Sequence, residues 1–227
     1  MKHRFYAKTK TEQHQILFLI GLVAFSIIIS SFIVSWITGF YLIGILIFSI
    51  VLSIIAPFFD TPSLKKSGKL LYHSPLFLSE TPNNGVIIIH GGTLFDYVFV
   101  LDKKMNGTQR TKLILQLYLQ GLLNLIEEYE RHKNNKLKVR GTSYILNQNT
   151  AERIGFKIQK TDFVQKLILT FNYFNILVSS SIAKKKISFP NLNDTKTFEA
   201  TLIDLIERKE YISKLNSRLK NAIVNNQ

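Results

Sequence analysis

The residues best suited to chemistry lie in one short segment, IIIHGGTLFD, which covers residues 87–96. An imidazole at His90 can act as a general base, and a carboxylate at Asp96 can orient it. The amides of Gly91 and Gly92 can stabilise developing negative charge, because glycine lets the backbone approach a substrate closely. The pattern therefore predicts His90 and Asp96 as candidate catalytic residues. The alternative, which the sequence favours, is a tight turn that follows a buried strand.

The His-Gly-Gly turn resembles the oxyanion-hole turn of esterases with the α/β-hydrolase fold. Those enzymes need a G-x-S-x-G elbow, which the chain lacks; its nearest segment is GTSYI at residues 141–145. Five residues separate His90 from Asp96, whereas glycerolipid acyltransferases have four between their His and Asp. That difference changes the relative direction of the two side chains, so neither family's activity is implied. There is also no P-loop, no G-x-G-x-x-G motif and no nucleic-acid-binding module, so we expect neither a nucleotide nor a nucleic acid partner.

Metal and redox chemistry have little basis in this sequence. His73 lies on a segment that could pair with the strand of His90, and these two residues with Asp96 are the candidate metal ligands. Their spacing matches no His-x-His, His-x3-His or Glu-x-x-His pattern, so we expect neither a metal nor a cofactor. The chain has no cysteine, which excludes disulfides and thiolate chemistry. The other histidines lie in polar or charged flanks, where we expect them to be solvated: His3, His14 and His132.

The candidate residues must be positioned by a chain that is dominated by one apolar segment, residues 15–59. No Asp, Glu, Lys, Arg or His occurs between His14 and Asp60. A helix that crosses the hydrocarbon layer needs about 20 apolar residues, so two spans fit this length and one does not. We predict a two-helix transmembrane hairpin, with a first helix over residues 16–38 and a second over residues 39–59.

Positive charge flanks the hairpin at both ends and predicts its orientation. Residues 1–14 carry four Lys or Arg side chains and one Glu, and Lys65, Lys66 and Lys69 follow the second helix. Because Lys and Arg are retained on the cytoplasmic side, we expect a cell-membrane protein with both termini in the cytoplasm. The apolar segment is longer than the core of a signal peptide and lacks a cleavage site, so we expect it to remain in the protein.

Beyond the hairpin, Pro57 and Pro62 are expected to end the second helix. Residues 60–68 would then form a linker to a cytoplasmic domain over residues 69–227. Residues 60–227 hold 25 basic and 14 acidic side chains, a net charge of +11. Such a domain beside a membrane favours acidic lipid headgroups as partners, at about 1 kcal/mol per Lys or Arg near the surface. The candidate membrane-surface residues are Lys65, Lys66, Lys69, Lys184, Lys185 and Lys186.

Strand and helix patterns alternate after the hairpin, which predicts a small α+β domain with a mixed or antiparallel sheet and about three helices. An Asn84-Gly85 turn precedes a buried strand over 85–92, and residues 93–102 are expected to form a second apolar strand. Apolar residues recur every three or four positions over residues 108–131, which predicts an amphipathic helix. The other expected elements are strands over 137–146 and 156–160, a short helix over 150–154 and a last helix over 196–222, capped by Asp194 or Thr195.

Residues 163–183 are open to three interpretations. The run 167–183 has no charged side chain, which is compatible with a third span, a buried core helix or a helix lying in the membrane interface. Lys184–Lys186 follow directly, and a crossing from inside would place them outside, against the positive-inside tendency. The sequence therefore favours the core and interfacial interpretations over a third span.

Two classes of function are compatible with these patterns. The favoured one is a binding or organising domain held at the cytoplasmic membrane face. Its partners would be acidic lipids, and a protein or a second copy that packs on the small residues recurring four positions apart in both apolar helices. The alternative is an enzyme that acts on a lipid or lipid-linked substrate, with His90 as base and Asp96 as its orienting partner.

Overall fold

Two long apolar helices form the N-terminal part of the protein. The structure is a computed structural model that describes residues 3–131, 137–143, 146 and 148–224. Helix α1 covers Lys10–Thr38 and helix α2 covers Tyr41–Lys66. Gly39 lies between them in the left-handed conformation, with a φ angle of 73°, which favours a sharp reversal of the chain. Both are long and apolar enough to cross a membrane, and they are the two such helices in the described residues.

Helix α2 is longer than the sequence predicts. It continues past residue 59, through Pro57 and Pro62, so that most of the expected linker is helical. A proline inside a helix removes one hydrogen bond and costs about 3 kcal/mol. Contacts with the domain offset this cost: Phe58 is buried and meets the ring of Phe95 edge-on, with 6.0 Å between the ring centroids. The helix therefore enters the domain instead of stopping before it.

A six-stranded mixed sheet forms the centre of the domain. Its strands are β1 (Leu70–Ser74), β2 (Phe77–Glu80), β3 (Val86–Gly91), β4 (Lys138–Ser143), β5 (Lys157–Gln159) and β6 (Lys196–Thr201). They lie in the order β1-β2-β3-β4-β6-β5, in which β3 and β4 are parallel and the other neighbours are antiparallel. A parallel pair needs a long crossover, and here the crossover contains helices α3 (Leu94–Val100) and α4 (Gly107–Arg131). The prediction of two long apolar helices followed by a small domain with a sheet and helices is confirmed, and of the mixed and antiparallel alternatives the sheet is mixed. The described part of the domain has seven α-helices after α2 and not about three.

The strand predicted for residues 93–102 is instead helix α3. Thr93 is its N-cap and Asp96 its third residue, and the two form a reciprocal capping box. The apolar and β-branched content of this run suggested a strand, but the Thr-x-x-Asp signature in the sequence marks a helix start. The strand before it, β3, agrees with the prediction for residues 85–92.

The prediction of a single helix over residues 196–222 is also wrong. Strand β6 comes first and pairs with both β4 and β5, and it is followed by helices α8 (Leu202–Glu207) and α9 (Lys209–Val224). A second Thr-x-x-Asp capping box, Thr201 with Asp204, starts α8. The residue that caps the helical part is therefore Thr201, and not Asp194 or Thr195.

The remaining predicted elements are present with small shifts. Helix α4 matches the amphipathic helix over 108–131, and β4 and β5 match the two further strands. The short helix α5 covers Gln148–Arg153. Two predictions concern residues that the structure does not describe: the end of the predicted strand at residues 144 and 145, and the solvated side chain of His132.

The segment with three open interpretations forms two short helices that meet at Asn172. Helix α6 covers Phe163–Phe171 and helix α7 covers Tyr173–Lys184. With 12 residues, α7 is about 18 Å long, which is shorter than the hydrocarbon layer of about 30 Å. Neither helix alone has the length of a third span.

The main core lies between one face of the sheet and helices α4, α8 and α9. Side chains from both layers are almost completely buried there: Ile87, Val139, Phe198, Leu125, Ile126, Leu205 and Ile212. On the opposite face of the sheet, Glu199 pairs with Arg140 and Lys138. The sheet therefore has an apolar face covered by helices, and its opposite face carries ion pairs at β4 and β6.

A separate cluster, the hairpin-foot cluster, joins the two long helices to the domain. Its buried members are Phe5, Phe58, Leu94 and Phe95. Partly buried residues of α1, α2 and α7 pack against them: Ile16, Leu17, Ile20, Ile54, Val178 and Ile182. Burial of one such side chain contributes about 1.5–3 kcal/mol, so the cluster fixes the hairpin to the domain.

Candidate functional site

His90 and Asp96 have different surroundings in the structure. His90 is near the end of β3 with its side chain 44% exposed, and its Nε2 lies 2.8 Å from a carboxylate oxygen of Glu80. The side chain of Asp96 has no exposed surface. Within the described residues, no hydrogen bond or ion pair joins the two. Glu80, and not Asp96, is therefore the carboxylate that orients His90.

The two glycines after His90 serve packing. A Cβ at Gly91 would collide with the Tyr118 hydroxyl, and a Cβ at Gly92 would lie 2.7 Å from the Leu76 side chain. Tyr118 therefore packs closely against the turn that follows His90.

The most densely connected polar group is the carboxylate of Asp96. One of its oxygens accepts hydrogen bonds from the Tyr72 hydroxyl at 2.6 Å and from Nε2 of His3 at 3.1 Å. Its other oxygen accepts from the amide and the hydroxyl of Thr93, at 2.7 and 2.9 Å. Four donors thus compensate a fully buried negative charge, as the burial of a charge requires. We call these residues, with Tyr6 and Lys65 described below, the Asp96 cluster.

His3 is buried, although its polar flank predicts a solvated side chain. It is 8% exposed, and its ring stacks on that of Phe95 with 5.0 Å between the centroids. Its Nδ1 is buried without a hydrogen-bond partner. His14 is exposed, as expected. The sequence contains no signal for the His3–Asp96 contact, because 93 positions separate the two residues.

Two tyrosines and a lysine complete the Asp96 cluster. Burial raises the pKa of Tyr72 well above its usual range, and the negative charge of Asp96 raises it further. Burial also raises the pKa of Tyr6 to about 12, an effect that the Tyr72 hydroxyl opposes and the Asp96 charge increases. The Lys65 ammonium lies 3.3 Å from the centroid of the Tyr6 ring and 5.0 Å from that of Tyr72. Both tyrosines are therefore neutral at physiological pH, and both rings face the Lys65 ammonium. Tyr72 donates its hydroxyl hydrogen to Asp96, whereas the Tyr6 hydroxyl is buried without a hydrogen-bond partner.

The N-terminal segment reaches this cluster because Arg4 binds the end of α3. The Arg4 guanidinium donates to the carbonyl oxygens of Val98 at 2.8 Å and Leu101 at 2.9 Å. The Arg4 amide donates to the Phe99 carbonyl at 3.2 Å. A cation at the C-terminal end of a helix is electrostatically favourable. The predicted basic N-terminus is thus folded onto the domain.

The candidate membrane-surface lysines are all exposed, but their surroundings differ. The Lys65 ammonium lies over the rings of Tyr6 and Tyr72, whereas Lys66 is the last residue of α2 and Lys69 follows it in the chain. In the second group of these lysines, Lys184–Lys186, two ammonium groups have partners. The Lys184 ammonium donates to the Ser188 hydroxyl at 2.9 Å, and the Lys185 ammonium donates to the Lys103 carbonyl at 3.4 Å. The ring-bound Lys65 is therefore the least available of these cations.

The structure does not assemble the candidate metal ligands. His73 is buried, with Nε2 2.8 Å from the Ser79 hydroxyl and Nδ1 3.2 Å from a Glu128 carboxylate oxygen. Burial lowers the pKa of His73, and Glu128 opposes that shift. Strand β2 separates the strand of His73 from that of His90. Among the described residues, no group of three His, Cys, Asp or Glu side chains has the geometry of a metal site.

Comparisons with protein-family models, with curated proteins and with solved structures each found no match for this chain. We therefore infer its function from the geometry of the molecule, in particular from how the hairpin joins the domain.

Proposed function

We propose that the protein is a membrane-anchored binding or organising module whose domain is fixed against one face of the membrane. The hairpin would cross the bilayer twice, so that the N-terminal segment and the domain lie on the same side. The observation that carries this proposal is the hairpin-foot cluster, in which Phe5 and Phe58 from the two ends of the hairpin pack against Leu94 and Phe95 of α3. A domain attached in this way keeps one orientation toward the bilayer, which a flexible tether would not give.

The charge at the ends of the hairpin supports a cytoplasmic location. Basic side chains flank the uncharged segment of residues 15–59 on both sides, while the turn at Gly39 has none. Positive flanks are retained on the cytoplasmic side of a membrane. We therefore place both termini and the domain in the cytoplasm.

Acidic lipid headgroups are the proposed partners of the domain. Next to Lys184–Lys186, Ile187 is 77% exposed and Phe189 is 72% exposed, with the buried Ser188 between them. Exposed apolar side chains beside exposed cations are typical of surfaces that contact anionic membranes. Each lysine near such a surface contributes about 1 kcal/mol.

Charge reversal tests this role of the lysines. Full-length protein would be reconstituted with equal amounts of phosphatidylcholine and phosphatidylglycerol, extracted in mild detergent, and its bound lipid quantified. We expect enrichment of phosphatidylglycerol, and a several-fold lower enrichment when Lys184, Lys185 and Lys186 are all changed to Glu. The matched control changes three exposed cations of α9 to Glu: Lys214, Arg218 and Lys220. An unchanged enrichment in the first variant, or an equal loss in the control, would contradict the proposed role.

An enzyme acting on a lipid or lipid-linked substrate has less support. Such an enzyme would use His90 as base and Asp96 as its partner. Asp96 is enclosed by its own four donors, and Tyr118 fills the turn after His90. The exposed His90–Glu80 pair is what an enzymatic role would have to use.

A further inference from the structure

We propose that helix α6 lies in the interface of the membrane and is a third, monotopic contact of the protein with lipid. This inference rests on the proposed function, because it requires the hairpin to span the bilayer. Helix α6 has no buried residue. Five of its six large apolar side chains are between 43% and 77% exposed: Phe163, Val164, Leu167, Ile168 and Phe171. The sixth, Leu169, is on the opposite side of the helix and is partly buried. Apolar exposure of this extent on one short helix calls for an apolar environment.

The exposed apolar side chains share one face of α6. At about 100° per residue, the five positions fall within an arc of about 140°. The side facing the protein is polar at Gln165, which hydrogen-bonds Thr142, and Asp162 caps the helix by accepting from the Gln165 amide. Thr170 is exposed at the edge of the apolar face, and Lys166 is exposed about 60° outside it. This arrangement is that of a helix lying flat between headgroups and acyl chains.

A contact with α2 gives the depth of this helix. The Ser53 hydroxyl donates to the carbonyl of Phe171, the last residue of α6, at 3.4 Å. Ser53 lies six positions before Phe59, where the uncharged segment of the hairpin ends. At 1.5 Å per residue, the end of α6 is about 9 Å inside that boundary, within the depth of about 5–10 Å at which interfacial helices bury their apolar faces.

Lipid is the occupant that this geometry favours for the apolar face. The face is beside a helix that is itself long and apolar enough to span a membrane. Helix α7 continues from α6 and packs on the hairpin-foot cluster through Val178 and Ile182, which fixes α6 at this level. The hydrocarbon boundary that surrounds α2 therefore also surrounds α6.

The absence of cysteine from the chain permits a direct test with single spin labels. Full-length protein in phosphatidylcholine–phosphatidylglycerol vesicles would be labelled at Leu167→Cys and Phe171→Cys on the apolar face, and at Lys166→Cys outside that face. Leu46→Cys, in α2, is the internal standard for the membrane interior. Collisions of each label with dissolved oxygen, which concentrates in hydrocarbon, and with a water-soluble nickel chelate would be measured by electron paramagnetic resonance. We expect a several-fold higher oxygen-to-nickel ratio at Leu167 and Phe171 than at Lys166.

Three other outcomes would overturn the inference. If the α6 labels prefer nickel while Leu46 prefers oxygen, α6 is in water, and the proposed function still stands. If the Leu167 and Phe171 labels are shielded from both reagents, a protein partner or a second copy covers the face. If the Leu46 label also prefers nickel, the hairpin is not in the membrane, and the proposed function fails together with the inference.

Discussion

Asp96 connects three separate parts of the chain through one carboxylate. It caps the first turn of α3, accepts from Tyr72 on β1, and binds His3 of the N-terminal segment. A hydrogen bond to a charged group contributes about 1.5–3 kcal/mol, and a buried group that loses its partners costs a similar amount. Asp96 therefore holds α3, β1 and the N-terminal segment together.

Replacement of Asp96 by Asn tests this structural role. An amide has one acceptor oxygen, and its NH₂ group would face donors of the cluster, so we expect the free energy of unfolding to fall by about 2–3 kcal/mol. The measurement is chemical unfolding of the detergent-solubilised protein, followed by circular dichroism. Asp194→Asn, at an exposed carboxylate, should change the free energy of unfolding by less than about 0.5 kcal/mol. Equal stability of the two variants would contradict the role of Asp96.

The raised pKa of Tyr6 predicts a loss of stability in alkali. Its pKa is about 12 in the folded protein and 10.0 when unperturbed. The folded state therefore holds this proton more tightly than the unfolded state does. The contribution is complete below about pH 10 and is lost as the pH rises from about 10 to 12. We expect Tyr6→Phe to lose less stability than the unmodified protein over this range, as measured by unfolding midpoints; equal losses would contradict the assignment.

The sequence predicts an element well where its pattern is local. The uncharged run of residues 15–59 is sufficient for the two long helices, and the three-to-four periodicity over 108–131 is sufficient for α4. It fails at residues 93–102, where the apolar and β-branched content favours a strand although Thr93 and Asp96 form a local Thr-x-x-Asp helix start. It also fails at residues 196–201, because tertiary partners decide there: this segment pairs with two strands, and Thr201 with Asp204 marks only the start of the helix that follows.

The candidate site is less predictable than the fold, because its contacts join distant residues. His3 and Tyr72 reach Asp96 across 93 and 24 positions, and no local pattern connects them. Only the contact between Thr93 and Asp96 is local. The lysine groups, in contrast, follow directly from composition, although the location of Lys65 over two aromatic rings does not.

The packing of α4 on the sheet gives a prediction at the scale of the element. A Cβ at Gly121 would collide with the Phe77 side chain, whose Cγ would lie 2.7 Å away. Gly to Ala inside a helix normally stabilises by about 0.5–1 kcal/mol, but overpacking costs about 1–3 kcal/mol. We therefore expect Gly121→Ala to lower the free energy of unfolding by about 1–2 kcal/mol. Its control is Gly21→Ala in α1, where the nearest atom, of Phe59, is 3.6 Å away and no such loss is expected; a stabilising Gly121→Ala would contradict this packing.

The whole molecule is a hairpin whose two ends are both built into one domain. Arg4 and Phe5 bind α3 from the N-terminal side, and Phe58 binds it from the end of α2. Because α3 lies in the crossover between β3 and β4, these contacts connect the hairpin to the central sheet. In our proposal, the bilayer and the sheet are thereby held in one relative orientation, which α6 and the lysine groups complete at the membrane surface.

The proposed membrane hairpin is tested most directly by measuring on which side of the membrane each of its parts lies. Three single-cysteine variants would be treated with a membrane-impermeant maleimide in intact cells. The cysteine replaces Lys8 in the N-terminal segment, Phe40 in the hairpin turn or Lys214 in the domain. We predict labelling of Phe40→Cys from outside, and labelling of Lys8→Cys and Lys214→Cys only after the membrane is opened. If Lys8→Cys and Lys214→Cys are labelled from opposite sides, or if both are labelled in intact cells, a hairpin with both ends bound to one cytoplasmic domain is contradicted.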